Sequence, residues 1–324
     1  MIDSHAGGEP FRLVVEGIPP IPGDDVLARR RFAEENLDHL RRALMWEPRG
    51  HADMYGGWIG DPTRPDSHLS VLFLHNSGFS TMCGHGIIAL TKVIVEMGLI
   101  EIAPEGAVHI DTPAGQVIAT ASMKDGRVGE VSFRNVASFV VDLDARAQVG
   151  GLGEVLYDLA FGGAFYAYVD AGSVGVDLSD SGAVISAGRA IKKAISEERS
   201  IDHPDSTDLG FLYGVIFTGE PRDPGNHHRS VCVFADGEVD RSPTGTGVSG
   251  SLAVLHSRGE IGVDQAISVE SIVGSVFTAR ITEQATVGGT PSVIPEISGQ
   301  AHIVGRSELW IDPRDPLGDG FLIR

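Results

Sequence analysis

Two short glycine turns hold the residues of this chain best suited to chemistry. The first is Thr81-Met82-Cys83-Gly84-His85-Gly86, the second Asp240-Arg241-Ser242-Pro243-Thr244-Gly245-Thr246-Gly247. Each has the form X-Gly-x-Gly and opens an apolar, helix-like run, with X a thiol (Cys83) in one and a hydroxyl (Thr244) in the other. A helix N-terminus presents unpaired N–H groups and a partial positive charge. Gly84, His85 and Gly86, together with Gly245, Thr246 and Gly247, therefore suit a small carboxylate without any arginine. The same dipole favours the thiolate of Cys83, which can act as nucleophile or general base. His85 can hydrogen-bond a ligand or the thiol, and Asp240 suits a substrate ammonium or iminium. The combination describes a bound zwitterion with its α-carbon in front of Cys83. Amide donors on the carboxylate also stabilise the enediolate-like charge formed when Cα–H is lost. The reaction class is proton abstraction next to a carboxylate.

Thr244 limits that chemistry. An unactivated threonine hydroxyl is far too weak an acid and base to replace a thiol near neutral pH. A two-base racemase needs a proton donor on each face, and these turns offer one. With a leaving group on the β-carbon one base is sufficient, and the carbanion expels hydroxide.

Plainer roles compete for some of these residues. Cys83 could be a buried structural thiol, and Asp240 a turn or cap aspartate. Cys232, between Val231 and Val233, reads as core. His227-His228 lacks a third ligand at a recognised metal spacing, so no metal is expected. His5 and Glu9 flank Gly7-Gly8 and are expected to fix the start of a strand. Gly245-x-Gly247-x-x-Gly250, with Glu270 twenty residues further on, is formally a dinucleotide fingerprint. Asp240 to Thr244 interrupts its strand-to-glycine junction, the segment after Glu270 continues as strand, and the first turn has no third glycine.

The elements around the turns repeat. Leu69–His75 reads as a buried strand leading into the first turn, and Ile87–Met97 as the helix after it. Ser230–Phe234 and Val248–Ser257 take the same places around the second. Gly98 and Gly259 each stand fifteen residues after X, where a helix of about four turns ends. Strand–glycine–strand patterns then centre on Gly115 and Gly274, 32 and 30 residues after X. This is a long-period internal duplication. Outside it, Asp24–Leu44 reads as one helix capped by Asp24 or Asp25, Ser181–Glu197 as an amphipathic helix, and Ala164–Val169 and Leu212–Phe217 as strands. The strand pattern of Val128–Val141 is where the chain is expected to cross into a second domain.

With 324 residues, two domains are expected. The 42% hydrophobic content fits a globular protein rather than a disordered chain. A formal charge of −19 argues against nucleic-acid and anionic-membrane partners. No apolar run approaches the ~18 residues of a membrane span, and Met1-Ile2-Asp3-Ser4-His5 lacks the regions of a signal peptide. Two cysteines cannot form a disulfide framework, so a reduced cytoplasmic protein is expected.

At the two turns, and at the opening Asp3-Ser4-His5-Ala6-Gly7-Gly8-Glu9-Pro10, the chain resembles the proline racemase family nearly end to end. Racemases and 4-hydroxyproline epimerases of that family carry Cys where Thr244 stands; the Cys/Thr pair resembles the trans-3-hydroxy-L-proline dehydratase branch. The resemblance implies a diaminopimelate epimerase-like fold: two similar α/β domains, each a barrel-like sheet around a central helix, with the site in the cleft between them. It implies domains of 1–135, joined by a C-terminal segment of about 308–324, and 136–307. It implies no cofactor, an imino acid substrate and a homodimer. By motif position Cys83 is the base, Gly84, His85, Gly245 and Thr246 bind the carboxylate, and His85 and Asp240 the ring nitrogen. The expected reaction is dehydration of trans-3-hydroxy-L-proline. The alternatives are racemisation or epimerisation of proline or 4-hydroxyproline, and a non-catalytic imino-acid binder.

Overall fold

A computed structural model describes residues 1–101 and 106–323. Residues 102–105, inside the expected first domain, and Arg324, at the end of the expected C-terminal segment, lie outside the described residues. In chain order come β1 (Ile2–Ala6), β2 (Glu9–Val14), α1 (Val26–Asn36), α2 (Asp38–Met45), β3 (Tyr55–Gly60), β4 (Leu69–His75), β5 (Gly78–Ser80), α3 (Gly84–Glu96), β6 (Ala107–Thr112), β7 (Gly115–Lys124) and β8 (Arg127–Arg134). They are followed by β9 (Ser138–Val149), β10 (Gly153–Phe161), β11 (Phe165–Asp170), α4 (Ser181–Glu198), β12 (Leu212–Gly219), β13 (His228–Phe234), β14 (Glu238–Val239), α5 (Gly245–Ser257), β15 (Ile267–Glu270), β16 (Val276–Val287) and β17 (Thr290–Arg306). The chain divides into two compact units, Met1–Phe133 with the segment from Gln300 onward, and Arg134–Gly299.

In the first unit β1 and β2 form a hairpin whose two turn residues, Gly7 (φ 60°) and Gly8 (φ 92°), are both left-handed, as a two-residue turn demands. From β2 the sheet runs parallel to β3, antiparallel to β4, parallel to β6 and antiparallel to β7. β8 follows, pairs with β17, and β17 returns antiparallel to β1, so the ring closes on itself. The second unit repeats these steps. β10 is antiparallel to β11, β11 parallel to β12, β12 antiparallel to β13, β13 parallel to β15, and β15 antiparallel to β16. β16 pairs with β17 and β17 with β9, which closes on β10. Each unit is thus a closed ring of eight strands, and closure leaves no edge to protect.

Each ring holds one helix. Residues Gly84–Ile94 of α3 and Gly245–Val254 of α5 are all buried. A helix buried on every side is a core element rather than a surface one. Outside the first ring, α1 and α2 cover Val14, Trp58, Leu72 and Leu74. Outside the second, α4 approaches so closely that a Cβ on Gly188 would stand 2.6 Å from Val233. No helix among the described residues is long and apolar enough to cross a membrane.

Three stretches differ from the sequence reading. The single helix expected over 24–44 breaks at Leu37, which leaves the helical region (φ −122°, ψ 10°) between α1 and α2. Its start is capped by Asp25, whose carboxylate accepts from Ala28 N–H. The sequence reading places no strand over β10, over β17 or over β9 beyond Val141. The chain returns to the first unit inside β17, at Gln300, ahead of the segment expected from about 308. The segment beyond β17 packs in that unit, where Phe321 N–H donates to the Glu47 carbonyl at 2.9 Å.

Candidate active site

Cys83 is the N-cap of α3, with extended backbone (φ −146°, ψ 111°) and a side chain that is 4% exposed. Its Sγ accepts the N–H of Gly86 at 3.2 Å and lies 3.2 Å from His85 Nδ1. One first-turn amide is therefore taken by the thiol rather than left for a carboxylate. Hydrogen bonding to sulfur, the helix N-terminus and an adjacent imidazole all favour the thiolate. His85 is held by edge-to-face contacts to Tyr55 (4.8 Å, 74°) and Phe11 (6.1 Å, 84°). The Tyr55 hydroxyl is itself tied to Ser80 Oγ at 2.5 Å. Gly86 has no room for a side chain: a Cβ would meet Phe11 at 2.8 Å and Phe73 at 2.9 Å.

The second turn is built differently. Thr244, the N-cap of α5, is left-handed (φ 67°, ψ 89°) and makes no side-chain cap bond. A β-branched residue there is strained, at a cost on the order of 1–3 kcal/mol. Thr244 N–H donates to Ser242 Oγ (3.1 Å), and Ser242 N–H to Asp240 Oδ1 (2.7 Å). The Thr244 hydroxyl is buried and without a hydrogen-bond partner among the described residues. Asp240 thus closes an Asx turn, the plainer role weighed for it. Thr246 Oγ1 is 2.8 Å from the Tyr166 hydroxyl, so its side chain is spent on the barrel wall. Complete burial holds that phenol well above its ordinary value, so it stays protonated.

The glycines of the dinucleotide-like pattern have another explanation. A Cβ on Gly247 would stand 2.2 Å from Ile216 and one on Gly250 2.2 Å from the Tyr168 hydroxyl. They let α5 fit inside its ring. Cys232 is fully buried in β13, as expected. The Nδ1 atoms of His227 and His228 are 2.9 Å apart, and burial, then His227, pulls His228 to a pKa of about 4. Among the described residues no group of three or more His, Cys, Asp or Glu is placed to hold a metal ion. His5 Nδ1 accepts Gly8 N–H at 3.3 Å and so fixes the β1–β2 turn.

One matched pair escaped the sequence reading. Asp111 on β6 stands beside Ser70 on β4, and Glu270 on β15 beside Arg229 on β13. Asp111 accepts from Thr63 N–H (2.7 Å), Thr63 Oγ1 (3.0 Å), Arg64 N–H (3.1 Å) and Ser67 Oγ (2.6 Å). Glu270 accepts from Arg222 N–H (3.0 Å), Asp223 N–H (3.1 Å) and Asn226 Nδ2 (3.2 Å). Both acids are buried and staple the loop that leads to their neighbouring strand. The available signal is an acid four residues before the strand-turn glycine in each half, Asp111 before Gly115 and Glu270 before Gly274.

Comparison with known proteins agrees with this construction. A relative from Colwellia psychrerythraea named trans-3-hydroxy-L-proline dehydratase is 46% identical over all of this chain and 92% of its own length. A relative from Burkholderia multivorans named 3-hydroxyproline 2-epimerase is 44% identical over all of this chain and 97% of its own. A solved hydroxyproline epimerase from Agrobacterium vitis, with bound trans-4-hydroxy-L-proline, superposes with a TM-score of 0.94 at 33% identity. That match covers 99% of this chain and 94% of the other. Residues 1–322 match the proline racemase family, and the chain belongs to it.

Proposed function

We propose that this chain is a cofactor-independent hydro-lyase that converts trans-3-hydroxy-L-proline to Δ1-pyrroline-2-carboxylate. The Cys83 thiolate takes the Cα proton, the C3–O bond breaks with loss of hydroxide, and the resulting enamine tautomerises to the imine. In this isomer Cα–H and the 3-hydroxyl share a ring face, so elimination is syn and the protonated Cys83 is placed to return its proton to the departing oxygen. Gly84, His85, Gly245 and Thr246 bind the carboxylate, and His85 and Asp240 the ring nitrogen. The observation that carries this reading is the pairing of one thiol, 3.2 Å from an imidazole, with a threonine at the matched cap. The relatives named trans-3-hydroxy-L-proline dehydratase support it.

Incubation with trans-3-hydroxy-L-proline, with proline and 4-hydroxyproline as controls, tests it. Imine product from the first substrate alone is expected. D-configured product without imine would replace the dehydratase with an epimerase, the second reading, favoured by the relative named 3-hydroxyproline 2-epimerase. Binding without turnover would leave a non-catalytic binder. We also infer a homodimer in the cytoplasm. Two cysteines outside any disulfide fit a reducing compartment, and Val304, Trp310 and Ile323 are 66%, 79% and 76% exposed. Sedimentation at a monomer's mass would remove the dimer.

A further inference from the structure

We propose that Ser242 is a positioning residue that keeps the Thr244 hydroxyl open to the substrate. The inference deepens the role given to Thr244 above and rests on it. A threonine at a helix N-cap ordinarily sits in extended backbone and spends its hydroxyl on the N–H of the second or third helical residue. Cys83 does this in its own turn, with Gly86 N–H on its sulfur. Thr244 does not. Its backbone is held at φ 67° by its own N–H, which reaches Ser242 Oγ at 3.1 Å. Ser242 is fully buried and anchored in turn by Asp240 Oδ1 at 2.7 Å. Pro243, with its φ restricted by the ring, makes the link between them stiff.

The consequence is chemical. Thr244 is 5% exposed, and its Oγ1 lacks a hydrogen-bond partner among the described residues. A buried hydroxyl in that state is costly unless a ligand completes it. A bound hydroxylated imino acid carries oxygens able to do so. Without the Ser242 acceptor, Thr244 can relax to negative φ and turn its hydroxyl onto its own helix, as Cys83 does.

The test compares Ser242→Ala and Ser242→Thr, each alone and combined with Thr244→Gly. Thr244→Gly removes the hydroxyl and tolerates positive φ. Turnover of trans-3-hydroxy-L-proline is measured in these proteins. Binding is measured by calorimetry in the Cys83→Ser background, where it can be read without turnover. Ser242→Ala should lower kcat/KM and weaken binding about tenfold, the size of one lost hydrogen bond. Ser242→Thr, which keeps the acceptor, should stay within about threefold, and Ser242→Ala on top of Thr244→Gly should change less than about twofold. Equal losses from Ser242→Ala in both backgrounds, or no loss in the parent, overturn the proposal. So does a Thr244→Gly protein that binds and turns over like the parent. Absence of both turnover and binding in the parent protein instead defeats the substrate assignment, and the inference with it.

Discussion

Cys83 and Thr244 stand one residue before helices of equal length, 13 residues each, yet they cap them in opposite ways. The far ends are alike. Gly98 (φ 61°) and Gly259 (φ 75°) stop α3 and α5, with Leu99 N–H on the Ile94 carbonyl in one and Glu260 N–H on the Leu255 carbonyl in the other. That is one C-terminal motif built twice. At the N-terminal ends the thiol bonds its own helix, whereas the hydroxyl bonds nothing among the described residues. The duplicated scaffold has kept its framework and diverged at the residue that caps each helix. The largest expected effect follows from this. Cys83→Ser should lower kcat by about a thousandfold, the scale of a lost general base, while Thr244→Ala lowers it only about tenfold, the scale of a lost hydrogen bond. Steady-state kinetics on folded variants reads both, and similar losses at the two positions would end the comparison.

The helices also differ in how tightly their rings hold them. In the second unit a Cβ on Gly162 would stand 2.2 Å from the Thr246 carbonyl oxygen and 2.5 Å from Gly250 N. Both are backbone atoms of α5, which cannot swing aside as a side chain can. Gly162→Ala should cost on the order of 3 kcal/mol in chemical denaturation. Gly98→Ala and Gly259→Ala, where nothing lies within 4 Å, should each cost about 1 kcal/mol from the left-handed backbone alone. A harmless Gly162→Ala would mean α5 is not seated against that strand turn.

The loop staples offer a closer match to sharpen. Asp111 holds four donors of its loop and Glu270 three. Asp111→Ala and Glu270→Ala each strand buried donors, at about 2 kcal/mol apiece, with Asp111 the larger. Hydrogen exchange should localise the loosening to residues 63–67 in one variant and 222–226 in the other. Loosening spread evenly over a whole unit would show that the acids support the ring rather than the loop.

Much of this framework was legible because its geometry leaves the sequence little choice. Left-handed backbone at Gly98 and Gly259, and the tight seats of Gly86 and Gly247, admit glycine almost alone, so the turns and helix stops stand out in the letters. β17 did not stand out. It carries Pro291 and Pro295, which argue against a strand interior, and Asn135 N–H reaches the Pro295 carbonyl, the one backbone group proline still offers. The strand then passes from one unit to the other without a turn, so no change of composition marks the crossing. The strain at Thr244 was hidden for a different reason. β-branched residues favour extended backbone, and only the neighbouring Ser242 and Asp240 reverse that preference.

That reversal gives the smallest effect and the one with opposite signs at the two caps. Cys83→Gly removes a buried side chain and its hydrogen bond from a residue already in relaxed, extended backbone (φ −146°), so it should lower stability by about 1 kcal/mol. Thr244→Gly removes a strained residue and a buried hydroxyl without a partner. Glycine adopts φ 67° without a steric penalty but starts from a more disordered unfolded chain, a cost of about 0.5–1 kcal/mol. Against strain of about 1–3 kcal/mol, the balance favours the variant by about 1 kcal/mol. Thermal unfolding should move up by a degree or two for Thr244→Gly and down by a similar amount for Cys83→Gly, with turnover nearly abolished by Cys83→Gly and lowered about tenfold by Thr244→Gly. A stabilised but less active Thr244→Gly protein is what a cap strained for function predicts. A drop in stability at both positions would mean that Thr244 is held left-handed at no cost, and that its conformation carries no record of its role.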